Sequence, residues 1–108
     1  MKTEMNTLLE TIKSDYAHWG NEDLTDVRKR MIEEFNHGLR VEEGSKYLKI
    51  ITGNFVWGFV VKKDNDKKFR KGDILKAASW KTPARNAARG NILDGGYTIR
   101  WTGPLYLK

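Results

Sequence analysis

Apolar residues in the first forty positions recur at helical spacing. Met5, Leu8, Leu9, Ile12, Tyr16 and Trp19 fall at i, i+3, i+4, i+7, i+11 and i+14, one stripe along one helix. Thr3 is placed to cap its start and Gly20 to end it. Asn21 is then placed to cap a second helix, with Glu22 and Asp23 at the positive end of its dipole. Its stripe is Leu24, Val27, Met31, Ile32 and Phe35, and Gly38 ends it. The short Gly20-Asn21 link predicts two helices packed as a hairpin or at an angle.

After about residue 40 the period drops to two. Tyr47–Thr52 reads as a strand, Gly53-Asn54 as a two-residue turn and Phe55–Lys63 as a second strand, which together predict a hairpin. Phe55, Trp57, Phe59 and Val61 are expected on one face of that strand, and Val56, Gly58, Val60 and Lys62 on the other. Both faces are largely apolar, so the strand is expected to be central, and Gly58 predicts a close backbone approach or a bend. The polar loop Asp64–Lys68 leads through Phe69–Asp73 to a further strand at Ile74–Trp80. Residues 81–91 hold no large apolar side chain and read as a long loop, or as a loop with one short helical turn. Tyr97, Ile99 and Trp101 alternate with Thr98, Arg100 and Thr102 in a half-buried strand. Gly103-Pro104 breaks it, and Leu105–Leu107 adds a short edge strand.

These elements predict an α+β fold in one domain spanning residues 1–108. A helical pair (1–39) packs on a curved antiparallel sheet of four or five strands in a β-rich lobe (40–108). Closure of that sheet into an SH3-like small barrel stands as the alternative to an open one, by analogy alone. Trp57, Phe59, Ile74, Ile99 and Trp101 are the expected core.

Charge divides the chain at the same place. Residues 1–45 hold six Lys/Arg against ten Asp/Glu, whereas residues 46–108 hold fourteen against four. A charged face of that kind suits an acidic partner, although a basic surface also serves solubility. There are no cysteines, so neither disulfides nor thiolate metal sites are expected, in keeping with a reducing cytoplasm. No apolar run approaches the roughly 18 residues of a membrane helix. The start Met1-Lys2-Thr3-Glu4 carries acid early without an apolar stretch, so no signal peptide is expected.

Catalysis finds little support in the residue pattern. His18 and His37 sit near predicted helix C-termini, where an imidazolium meets the negative dipole end, and neither has metal-ligand spacing. Adjacent residues on a helix diverge, so Glu33-Glu34 is poorly arranged for paired acid/base work. A solvated surface accounts for this pair and for Glu42-Glu43. No phosphate-binding or dinucleotide-binding glycine pattern and no nucleophile elbow is present. No catalytic residue, cofactor or metal is expected.

Binding has better candidates. Lys62, Lys63, Lys67, Lys68, Arg70 and Lys71 form one basic cluster, and Lys76, Lys81, Arg85, Arg89 and Arg100 a sparser second. Such clusters neutralise phosphates and release counterions, which supplies sequence-independent affinity for DNA or RNA. Arg85 and Arg89, four apart, are placed to share one side of a helical turn. Asn86 and Asn91 beside them suit either base edges or turn closure. Trp80, next to the polar loop, suits stacking on unpaired bases, as does Trp101 if exposed, whereas Trp57 is expected in the core. The rival reading docks the basic lobe on an acidic surface of a host protein. An acidic helical lobe beside a basic one also allows head-to-tail pairing of two copies.

Phe55-Val-Trp-Gly-Phe-Val-Val, Phe69-Arg-Lys-Gly-Asp-Ile-Leu-Lys-Ala-Ala-Ser-Trp, Ala84-Arg-Asn-Ala-Ala-Arg-Gly-Asn-Ile and Trp101-Thr-Gly-Pro-Leu-Tyr-Leu together resemble a family of short, mostly uncharacterised tailed-bacteriophage proteins. The resemblance covers roughly residues 40–108. It implies a protein working in the cytoplasm of an infected bacterium, with no catalytic residues to carry over. It favours a host-takeover or anti-defence role in which a host protein is bound and inhibited.

Overall fold

The computed structural model describes residues 2–18, 26–64, 66–85, 87–95 and 97–104. Helix α1 spans Lys2–His18 and buries Met5, Leu8, Ile12 and Tyr16, the stripe expected from the spacing. Thr3 does not cap it but is already helical, and its carbonyl accepts the Thr7 hydroxyl at 3.1 Å. Trp19, Gly20 and the capping segment through Leu24 lie outside the described residues.

Helix α2 spans Asp26–Gly38 and buries no residue fully. Val27 and Met31, expected to face the core, are 68 % and 38 % exposed. Its hold on the fold is aromatic. Phe35 stacks on Tyr16 at 4.0 Å between centroids, and both rings meet Trp101 edge-on. At Gly38 the chain passes without a loop into β1 (Leu39–Glu43). The Gly38 carbonyl accepts the Gly53 amide at 3.1 Å, and a Cβ on Gly38 would sit 3.2 Å from that nitrogen.

Strands β1, β2 (Tyr47–Thr52), β3 (Phe55–Val61) and β4 (Ile74–Leu75) form an antiparallel meander in that order. The expected β2–β3 hairpin is present. Gly53 has φ +57° at the first central turn position, where a type II′ turn requires glycine. Strand β1 was not anticipated, because its apolar positions Leu39 and Val41 are too few to announce a period. Strands β5 (Ile99–Arg100) and β6 (Gly103–Pro104) pair separately as a short ribbon. The four-stranded sheet is therefore open, and its strands do not close on themselves as a barrel. Residues 105–107, expected as an edge strand, lie outside the described residues.

The β2–β3 register corrects the expected face assignment. Ile50 pairs with Gly58 but Ile51 pairs with Val56, leaving Trp57 as the extra residue of a bulge. One extra residue reverses the alternation. Trp57 thus joins Val60, Ile50 and Ile74 in the core beneath α1, while Phe59 and Val61 face a second cluster with Phe69 and Leu75. Trp57 also donates its Nε1–H to the Arg100 carbonyl at 2.8 Å, which ties the β5–β6 ribbon to the sheet. Gly58 is the close approach expected of it. A Cβ there would lie 2.9 Å from the Leu75 carbonyl oxygen. Trp57, Phe59, Ile74 and Ile99 are buried as expected, whereas Trp101 is half-buried.

The run after β4 is extended and forms no helix among its described residues. Ala84 donates to the Lys76 carbonyl, Arg89 to that of Ile74 and Ile92 to that of Gly72, while Ile74 donates back to Gly90. These backbone groups pair with the open edge of β4 rather than with each other, so Arg85 and Arg89 do not share a helical turn. No helix among the described residues is long and apolar enough to cross a membrane.

Candidate nucleic-acid interface

Four acids stand among residues 46–108, and all four are engaged within the loops. Asp64 accepts the Lys71 amide at 3.1 Å, and Asp66 accepts those of Lys68 and Phe69 at 2.8 and 3.0 Å. Asp73 accepts the Arg70 amide at 2.9 Å. Asp94 takes a two-pronged contact from the Arg70 guanidinium at 3.0 and 3.1 Å. Phe69 anchors the first loop by burying its ring in the second cluster. Acidic side chains are thus spent on shaping the loops, and along this part of the chain cations outnumber them fourteen to four.

Arg85 is the centre of this arrangement. Its guanidinium grips the Asp66 carboxylate at 2.9 and 2.8 Å, donates to the Tyr47 hydroxyl and lies 4.9 Å from the Phe69 ring centroid. Lys68 donates its amine to the Arg85 carbonyl. The contact joins β2, the 64–73 loop and the 81–91 segment, so Arg85 serves as a clamp rather than a free cation. A paired guanidinium holds the Asp66 carboxyl well below the usual carboxylate range, helped by the two backbone amides. Arg70 lowers Asp94 in the same sense.

A pH dependence follows. A carboxyl whose pKa is depressed by folding contributes stability above its unfolded pKa, about 4 for Asp. That contribution is lost as the pH falls through the folded value. The melting temperature is expected to hold between pH 7 and 5 and to fall steeply below about 4. Asp66→Asn is expected to melt lower at pH 7 yet lose less on acidification. Thermal melts of both proteins at pH 7, 5, 4, 3 and 2 check this, and parallel curves would mean that Asp66 is not the group responsible.

The remaining expected residues scatter. Lys62 pairs with Glu43 at 2.9 Å and donates to the Gly44 carbonyl at 3.0 Å. Lys63 and Lys67 are exposed, and Lys71 is half-buried. Arg89 is half-buried, with its Nε directed at the Ala87 carbonyl. Asn91 is not available to a base edge. Only 6 % exposed, it donates to the Lys71 carbonyl and to Asp73 and accepts the Leu93 amide, which makes it the turn-closing residue. Asn86 lies outside the described residues.

Trp80 and Lys81 come closest to the expected surface. Trp80 is 46 % exposed, Lys81 is exposed beside it, and the Lys49 amine sits 4.1 Å above the Trp80 ring centroid. Next to them Lys46, Tyr47, Lys49, Phe59 and Lys81 line a recess of about 380 Å³ together with Glu42 and Glu43. Lys49 and Tyr47 were missed as site residues. Their signal was present in the two-residue spacing of β2, which sets both on the face opposite Leu48 and Ile50, away from the helices.

Residues 1–106 match the profile of a family of unknown function (DUF7717). No curated protein and no solved structure matches the chain.

Proposed function

The chain belongs to the family of unknown function DUF7717, and from the surface just described we propose that it acts by binding single-stranded nucleic acid, without catalysis. The observation that carries the reading is the half-exposed Trp80 ring with Lys49 on its face and Lys81 beside it. Bases stack on such rings whatever their identity, and neighbouring amines neutralise the phosphates. Lys63 and Lys67, exposed on the preceding loop, extend the positive field. Arg85 and Asn91 belong to the scaffold that holds this surface. On the resemblance of residues 40–108 to phage proteins, the setting proposed for this activity is an infected bacterium.

Fluorescence anisotropy of labelled single- and double-stranded DNA and RNA tests it. Submicromolar binding to single strands is expected to survive about 150 mM salt. Trp80→Ala is expected to weaken it about five- to a hundred-fold, the worth of one stacked base. Lys49→Ala with Lys81→Ala should flatten the salt dependence. Binding seen only at low salt, and equally for every polymer and for Trp80→Ala, would rule the reading out. The basic lobe would then be assigned to an acidic host-protein surface.

A further inference from the structure

A second site lies at the margin of the main core, where the first turns of α1 overhang the edge of β1 and β2. Met5, Leu9, Val41 and Leu48 floor a groove of about 570 Å³ there. That volume is within the roughly 300–1,000 Å³ of small-molecule sites. The last three floor residues are only half-buried, so apolar surface is left open to the groove. Three lysines, Lys2, Lys62 and Lys71, line it as well. Lys62 is neutralised by Glu43 at 2.9 Å. Lys2 and Lys71 make no hydrogen bond or ion pair with their amines among the described residues. Their charge adds to the positive dipole end of α1, which begins at Lys2.

We infer that this groove binds a single-chain anionic amphiphile of the fatty-acid class. The alkyl chain lies along Leu9, Val41 and Leu48, and the carboxylate meets Lys2 and Lys71. An apolar trough alone would accept any hydrophobe, and lysines alone any anion. Their juxtaposition selects a molecule with both parts. Lysine stems also cover apolar surface without any ligand, and dependence on the head group's charge separates the two cases. The groove shares no lining residue with the Trp80 surface apart from Glu43, so the inference does not rest on the nucleic-acid reading.

The test uses the full chain and 11-(dansylamino)undecanoate as the fluorescent probe, displaced by dodecanoate below its micellar concentration. Saturable one-site binding is expected, about tenfold tighter for dodecanoate than for decanoate because two more methylenes are buried. Dodecyltrimethylammonium, with the same chain and the opposite head, should displace the probe at least tenfold less well. Lys2→Met with Lys71→Met should lose at least tenfold for dodecanoate, and Leu9→Gln a similar factor, with circular dichroism unchanged. Equal displacement by the cationic amphiphile, undiminished binding in the double variant, or no saturable binding would each overturn the inference. A wild-type chain that binds dodecanoate in this way but binds no single strand would count against the Trp80 reading only.

Discussion

Trp57→Ala is expected to be the most damaging single substitution in the protein, costing about 3–5 kcal/mol. The ring is 1 % exposed and lies among Leu8, Ile12, Ile50, Val60 and Ile74, so its removal leaves a cavity that two layers cannot both move to fill. It also removes the hydrogen bond from the indole N–H to the Arg100 carbonyl. Domains of this size have total stabilities of about 5–15 kcal/mol, so the variant is expected to sit close to unfolding. Trp57→Phe keeps most of the apolar volume and loses the hydrogen bond, for a cost of about 1–3 kcal/mol. Urea titrations of the three proteins check the ranking through their midpoints. A Trp57→Phe as damaging as Trp57→Ala would mean that the hydrogen bond to the β5–β6 ribbon, not the packing, dominates.

Gly90→Ala is expected to follow, at about 2–4 kcal/mol, from backbone strain and overpacking together. Gly90 has φ +150°, and a Cβ on it would lie 2.6 Å from the Cβ of Tyr97. The Gly90 backbone does not yield easily, because its carbonyl holds the Ile74 amide at the edge of β4. Gly95→Ala provides the control. Gly95 also has positive φ, +70°, but a Cβ there meets nothing within 4 Å. It should cost only the backbone term, about 1–2 kcal/mol. Each kcal/mol lowers the melting temperature by roughly 4–8 °C in a domain near this size. Melting curves should therefore place Gly90→Ala well below Gly95→Ala. Equal shifts would mean that the Tyr97 segment moves aside.

These substitutions bear on the proposed surface because the same backbone pairing carries it. The described residues of the run from Lys76 to Ile92 are held along β4 and the residues flanking it, and Trp80 and Lys81 emerge from the turn. Arg85 then locks that run to the Asp66 loop. An Arg85→Ala variant that lost nucleic-acid binding would be ambiguous for this reason, whereas Trp80→Ala removes an exposed ring and leaves the clamp in place.

Elements whose periods are long and unmixed could be read directly along the chain. The α1 stripe, the β2–β3 hairpin with its Gly53-Asn54 turn, the α+β class and the basic second half were all legible, because local sterics and apolar periodicity act within a few residues. Gly58 could be read as a close approach for the same reason, since only glycine lacks a Cβ. The remaining features arose from contacts between segments distant along the chain. The Trp57 bulge reversed the faces of β3, and no local signal announces one extra residue when both faces are apolar. Strand β1 formed because β2 offered it a partner, and the described residues of 83–91 stayed extended because β4 and the residues flanking it offered an edge. Among the cations, sequence showed how many there are but not which are used. Asp66 and Asp94, distant along the chain, took Arg85 and Arg70 out of the free charge, and Lys49 came to Trp80 across the sheet. Pairings of that kind depend on which loops meet, and a loop's destination is set by the edge it can hydrogen-bond, not by its own residues.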